Sequence, residues 1–71
     1  MPVATMPDSR AAIVLRQSPI PALRKLTVEE TPEAVVIIGS VSSYYHKQLA
    51  QESLMPVLGR RVLLNRVIVA R

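Results

Sequence analysis

Cysteine, phenylalanine and tryptophan are all missing from this chain of 71 residues, and Tyr44 and Tyr45 are its only aromatics. Without cysteine there is no disulfide and no thiolate metal site, so a domain this small depends on an efficient core or on association with another chain. The core must be aliphatic. His46 is the single histidine, which leaves no second imidazole for a transition-metal site. Single-strand nucleic-acid readers stack bases on an aromatic platform, and this composition cannot supply one. No apolar run approaches the ~20 residues that span a bilayer. The opening stretch, residues 1–8, has neither the charged nor the apolar region of a signal peptide, which points to a cytoplasmic location if the chain is complete.

What is present is apolar and basic. Hydrophobic residues make up 49% of the chain, too many for a disordered segment. The net charge of +4 is unevenly placed. Residues 1–26 and residues 47–71 are basic, while Glu29, Glu30 and Glu33 make the middle acidic. That interruption argues against a continuous nucleic-acid groove.

The run Val35-Val36-Ile37-Ile38-Gly39-Ser40-Val41 is the longest β-branched stretch, and turn-forming residues bound it on both sides. It is expected to be the central strand. Apolar residues at consecutive positions require cover on both faces of the sheet. Residues 1–7 read as a loose tail ahead of a single domain over residues 8–71. Asp8 or Ser9 caps a short helix from Arg10 to Gln17, which Ser18-Pro19-Ile20-Pro21 then breaks.

From Leu23 to Glu30 the alternation suggests an edge strand, with Leu26 and Val28 on one face and Lys25, Thr27 and Glu29 on the other. Thr31-Pro32-Glu33 turns the chain back antiparallel into the central strand. Ser42 or Ser43 caps a second helix from about Tyr44 to Met55, whose inner face holds Ala50, Ser53, Leu54 and Val57 while Tyr44, Gln48, Gln51, Glu52 and Met55 lie away from it. Pro56 limits this helix and Gly59 ends the segment. A third strand follows over Val62 to Ala70. Strand, helix and strand imply a right-handed parallel crossover. The expected architecture is an α+β domain in the order helix-strand-strand-helix-strand, with a three-stranded mixed sheet and both helices on one face.

Two short helices cannot cover a sheet that is apolar front and back. If Val35, Ile37, Gly39 and Val41 face the helices, then Val36 and Ile38 face away with Leu64 and Ile68 or their alternate-parity neighbours. The resulting patch is of a size that usually signals a partner or a membrane. A homodimer or a protein partner on this face is the leading expectation.

Other residues have a chemical reading beside a plainer one. Ser43 and His46 contain a nucleophile and a base, yet they also form an ordinary capped helix start with no acid to orient the ring. Tyr44, Tyr45 and Lys47 can sit at a lipid headgroup level or anchor an interface. Alternatively, Tyr45 covers Leu49 one turn on. Arg60, Arg61, Arg66 and Arg71 can hold phosphate, or form a solvated basic rim with Arg66 lying over the apolar patch.

The spacing of Ile37, Gly39, Val41, Ser43, Lys47 and Ala50, followed by Gly59, Leu63, Asn65, Val67 and Val69, resembles the BON domain of bacterial osmotic-shock-inducible, secretin-associated and mechanosensitive-channel proteins. The likeness covers roughly Ala12 to Arg71. It departs from the family pattern at Thr31-Pro32-Glu33, where a glycine turn is common, and at Arg60, where an apolar residue is usual. The resemblance implies the same element order and a non-enzymatic module without cofactor, attached to phospholipid surfaces or to other envelope proteins. It also implies structural roles for Gly39, Ala50, Gly59 and Asn65, with Gly39 approached closely by a helix.

Overall fold

The β-branched run does form the centre of the sheet. The computed structural model describes residues 10–70 in the order α1 (Arg10–Arg16), α2 (Pro21–Arg24), β1 (Thr27–Glu30), β2 (Ala34–Val41), α3 (Tyr44–Leu58) and β3 (Val62–Val69). The three strands lie in the order β1-β2-β3. β1 pairs antiparallel with β2, and β2 pairs parallel with β3 across the α3 crossover. This is a small α+β domain with a mixed sheet. The tail over residues 1–7 and the caps expected at Asp8 and Ser9 lie outside the described residues.

Along β2 the side chains alternate between two environments, as the period of a strand requires. Val35 and Ile37 are fully buried and Val41 nearly so, and Gly39 shares their face. They join Ala11, Leu15, Leu23, Ala50, Leu54, Leu58 and Val67 in one aliphatic core between the sheet and the helices. Burying each of the larger members, Leu15, Leu23, Ile37 and Leu54 among them, contributes about 1.5–3 kcal/mol. The helices occupy this face alone.

Three local departures from the sequence reading have physical causes. Leu23 and Arg24 belong to α2, and the edge strand starts only at Thr27. Pro21 stands at the start of α2, where its missing amide costs nothing and its fixed φ suits a helix. Ile20 is extended before it, with its amide bonded to Ser18 Oγ at 3.1 Å. The second helix of the sequence reading, α3, continues through Pro56 to Leu58. Pro56 sits on the exposed side in the last turn, so the ring breaks one hydrogen bond without meeting the core. Gly59 then stops the helix with φ +67°, a conformation that favours glycine.

The hairpin turn is built by Thr31. Its amide donates to the Ala34 carbonyl at 2.8 Å, and its Oγ1 accepts from the Ala34 amide at 2.9 Å and from the Glu33 amide at 3.3 Å. Ser43 is the cap of α3, its side chain accepting from the His46 amide.

Gly39 does admit a close neighbour, but that neighbour is Leu26, in the link between α2 and β1, and no helix. A Cβ built on Gly39 would stand 2.7 Å from Leu26 Cδ2. The residue also has φ +143°, where side chains are strained.

Candidate functional site

Cross-strand register fixes which residues share the uncovered face. Glu29, Val36 and Leu64 form one row across the sheet, and Thr27, Ile38 and Arg66 form the next. Ala34 lies beside Val62 on one side of these rows, and Ser40 beside Ile68 on the other. Val36 is half-buried, Ile38 and Leu64 are 37% and 39% exposed, and Ile68 is 65% exposed. Val36, Ile38 and Leu64 are therefore contiguous. Ile68 is separated from Leu64 along β3 by Arg66. Val62, 57% exposed, extends the same face. The sequence reading did not single it out, although its parity with Leu64 and Ile68 was the available signal.

β1 gives the face a polar edge of Glu29 and Thr27, whereas the β3 edge is apolar except for Arg66. The apolar surface thus runs from an acidic strand to one whose single outward charge is basic.

The residues proposed for lipid or anion contact do not form one surface. Tyr44, Tyr45 and Lys47 stand at the start of α3, and Arg60 follows its end. A helix of 15 residues separates its ends by roughly 20 Å at ~1.5 Å per residue. Lys47 Nζ lies 5.8 Å from the centroid of the Tyr44 ring. Both tyrosines are more than two-thirds exposed, at 71% and 67%. Tyr45 stands exposed beside its neighbour His46. It lies 5.7 Å from the His46 ring, tilted. Arg66 belongs to the sheet face, away from both ends of α3. Arg71 lies outside the described residues.

Arg61 has a structural task. Its Nε donates to the Leu58 carbonyl at 3.0 Å and one Nη to the Val57 carbonyl at 2.8 Å, capping the last turn of α3. The other Nη pairs with Glu30 at the end of β1. The guanidinium expected to hold phosphate instead fastens α3 to the sheet edge. Nothing local announces this pairing, which joins residues 31 apart in sequence.

Asn65 ties β3 to α3 from the inner face. Its Nδ2 donates to the Lys47 carbonyl at 3.0 Å and to Gln51 Oε1 at 3.4 Å, while its Oδ1 accepts from the Val67 amide at 3.2 Å. Gln51 is thus drawn towards the sheet, where helical phase alone placed it outside. The amides of Val62 and Ala70 donate to Glu33 and Val41 in or beside β2. Even-numbered residues of β3 consequently point their backbone towards β2, and Leu63, Asn65, Val67 and Val69 point theirs to the open edge.

Ser43 Oγ lies 3.2 Å from His46 Nδ1 and accepts from the His46 amide at 3.2 Å. No carboxylate among the described residues pairs with the ring. The arrangement is a helix cap. Among the described residues no cluster of histidine, aspartate or glutamate is gathered that could hold a metal ion. No helix among them is long and apolar enough to cross a membrane.

A shallow cleft that the sequence reading did not anticipate lies beside β1. It has a volume of about 180 Å³ and is lined by Ala12 and Arg16 of α1, Arg24 of α2, and Leu26, Thr27 and Val28. Arg24 is held by a bond from its guanidinium to the Ser18 carbonyl at 2.9 Å.

Comparison with known proteins gives no match to this chain, whether to a family model, a curated protein or a solved structure.

Proposed function

We propose that this chain is a non-enzymatic association module of the BON type that pairs with a second copy of itself through the outer face of its sheet. The observation that carries the reading is the uncovered apolar face of Val36, Ile38, Val62, Leu64 and Ile68. The motif spacing around Gly39 and Asn65 and the element order support the BON assignment.

Charge favours a second copy as the occupant. A two-fold axis running along the strands lays β1 of one chain over β3 of the other, with Thr27 opposite Arg66 and Glu29 opposite Leu64, one row away from Arg66. The acidic strand thus lies over the strand that carries the one basic side chain of this face. Three strands at ~4.8 Å and eight residues at ~3.3 Å make at most roughly 380 Å² in plan. That is below the ~800 Å² per partner of a standard interface, so association is expected in the micromolar range or weaker.

Val36→Asp places a charge in the middle of this face and should abolish dimerisation without touching the core. Sedimentation equilibrium up to about 1 mM protein reads the result. A parent chain that stays monomeric throughout that range, or a variant that dimerises as well as the parent, sinks the proposal.

A second reading, peripheral attachment to anionic phospholipid, draws support from the exposed tyrosine rings and from Lys47 lying over Tyr44. It predicts co-sedimentation with acidic vesicles that weakens as salt is raised. Equal binding to neutral vesicles would exclude it.

A further inference from the structure

The two cationic side chains in the cleft beside β1 stand next to an open strand edge. Thr31 and Ala34 are a hydrogen-bonded pair, since the Thr31 amide donates to the Ala34 carbonyl. In an antiparallel ladder such pairs alternate with pairs that do not exchange bonds. By the observed register, Glu29 with Val36 and Thr27 with Ile38 are also bonded, and Val28 opposite Ile37 is not. The N–H and C=O of Val28 therefore point away from β2, to the open side where the cleft lies.

The charges along this edge have a direction. Arg16, Arg24 and Lys25 gather at the beginning of β1, whereas Glu29 and Glu33 mark its end. Among the described residues no acidic side chain lines the cleft and no carboxylate pairs with Arg16 or Arg24. An incoming strand antiparallel to β1 would bring its C-terminal end to the two arginines and its N-terminal end to the glutamates.

We infer that the β1 edge accepts an extended peptide by strand addition, antiparallel to β1, with a peptide carboxylate held by Arg16 and Arg24 in the cleft. Main-chain bonds to Val28 supply affinity that is independent of side chains. Charge-assisted bonds to the guanidinium groups fix the direction. This site lies on a different edge from the outer face, so it stands apart from the self-association reading.

The test is an amide-shift titration of the full chain by NMR. The probe is an N-acetylated tetrapeptide of alternating valine and threonine with a free C-terminal carboxylate. Saturable shifts are expected at the Val28 amide and at Arg16 and Arg24, with affinity about tenfold lower in Arg16→Gln and in Arg24→Gln, as loss of one charge-assisted bond implies. Val28→Pro removes the edge donor without removing a bond to β2 and should eliminate binding. Arg16 is exposed, so Arg16→Gln remains a fair test if the proline variant does not fold.

Loss of binding on amidation of the probe assigns the carboxylate to a chain terminus. Retention by an amidated probe with one internal aspartate assigns it to a side chain, and either supports the inference. Unchanged affinity in both arginine variants, equal binding of an amidated probe with no aspartate, or shifts confined to the outer sheet face would overturn it.

Discussion

Replacing Gly39 by alanine should be among the most damaging single changes available to this domain. The residue holds φ +143°, and forcing an L side chain into such a region costs about 1–3 kcal/mol. The new Cβ would also stand 2.7 Å from Leu26 Cδ2, and displacing a half-buried leucine adds about 1 kcal/mol. The expected loss is therefore about 2–4 kcal/mol. A chain of 71 residues is worth only about 4–10 kcal/mol in total at ~0.05–0.15 kcal/mol per residue.

Urea unfolding followed by far-UV circular dichroism reads this directly. With a slope of ~1 kcal/mol/M the midpoint should fall by about 2 M or more. The protein must be held at one low concentration, because self-association would add to apparent stability. Combining Gly39→Ala with Leu26→Ala separates the two causes. If backbone strain dominates, the two losses add to within ~0.5 kcal/mol. A double variant as stable as Leu26→Ala alone would refute the strain account, and a single variant within ~0.5 kcal/mol of the parent would refute the reasoning entirely.

Asn65→Ala should cost about 1–2 kcal/mol and speed hydrogen exchange at the Val67 amide, as thermal melts and exchange NMR can establish. A double-mutant cycle of Glu30→Gln and Arg61→Gln should return a coupling of about 1 kcal/mol that shrinks in 1 M salt; no coupling at low salt would show the pair to be incidental. Pro56→Ala restores an amide to the last turn of α3 and relieves an unfavourable helix residue. It should stabilise the domain by about 1 kcal/mol, seen as a rise of several degrees in Tm, and a fall would contradict the helix path described above.

The elements that announced themselves in the sequence are those whose identity is carried by strong period and composition. β2 carries the β-branched run Val35 to Ile38 and β3 the run Val67 to Val69, and the phase of Ala50 and Leu54 fixed the buried side of α3. The outer-face positions Val36 and Ile38 followed from parity once Val35 and Ile37 were turned inward, whereas the parity of β3 stayed open until the register set Leu64 beside Val36 and Ile68 beside Ser40. Tertiary detail escaped. Pro21 and Pro56 are helix breakers by composition, but their effect depends on place within the turn, and each occupies a tolerated one. Gly39 advertises a close approach without naming the neighbour. The pairing of Arg61 with Glu30, the recruitment of Gln51 by Asn65 and the cleft at Arg16 and Arg24 all depend on residues brought together by the completed chain, which no local pattern encodes.

The Asn65 side chain has a consequence for how many copies can assemble. Its Oδ1 already occupies the Val67 N–H, a donor that β3 would otherwise offer to a newcomer at its rim. A fourth strand zipping on at this rim, copy after copy, would have to forgo a rung or displace that amide oxygen. Growth of ribbons towards amyloid-like stacks is discouraged from within the sheet itself. The proposed contact across the broad surface would close after two molecules and leave a finite pair.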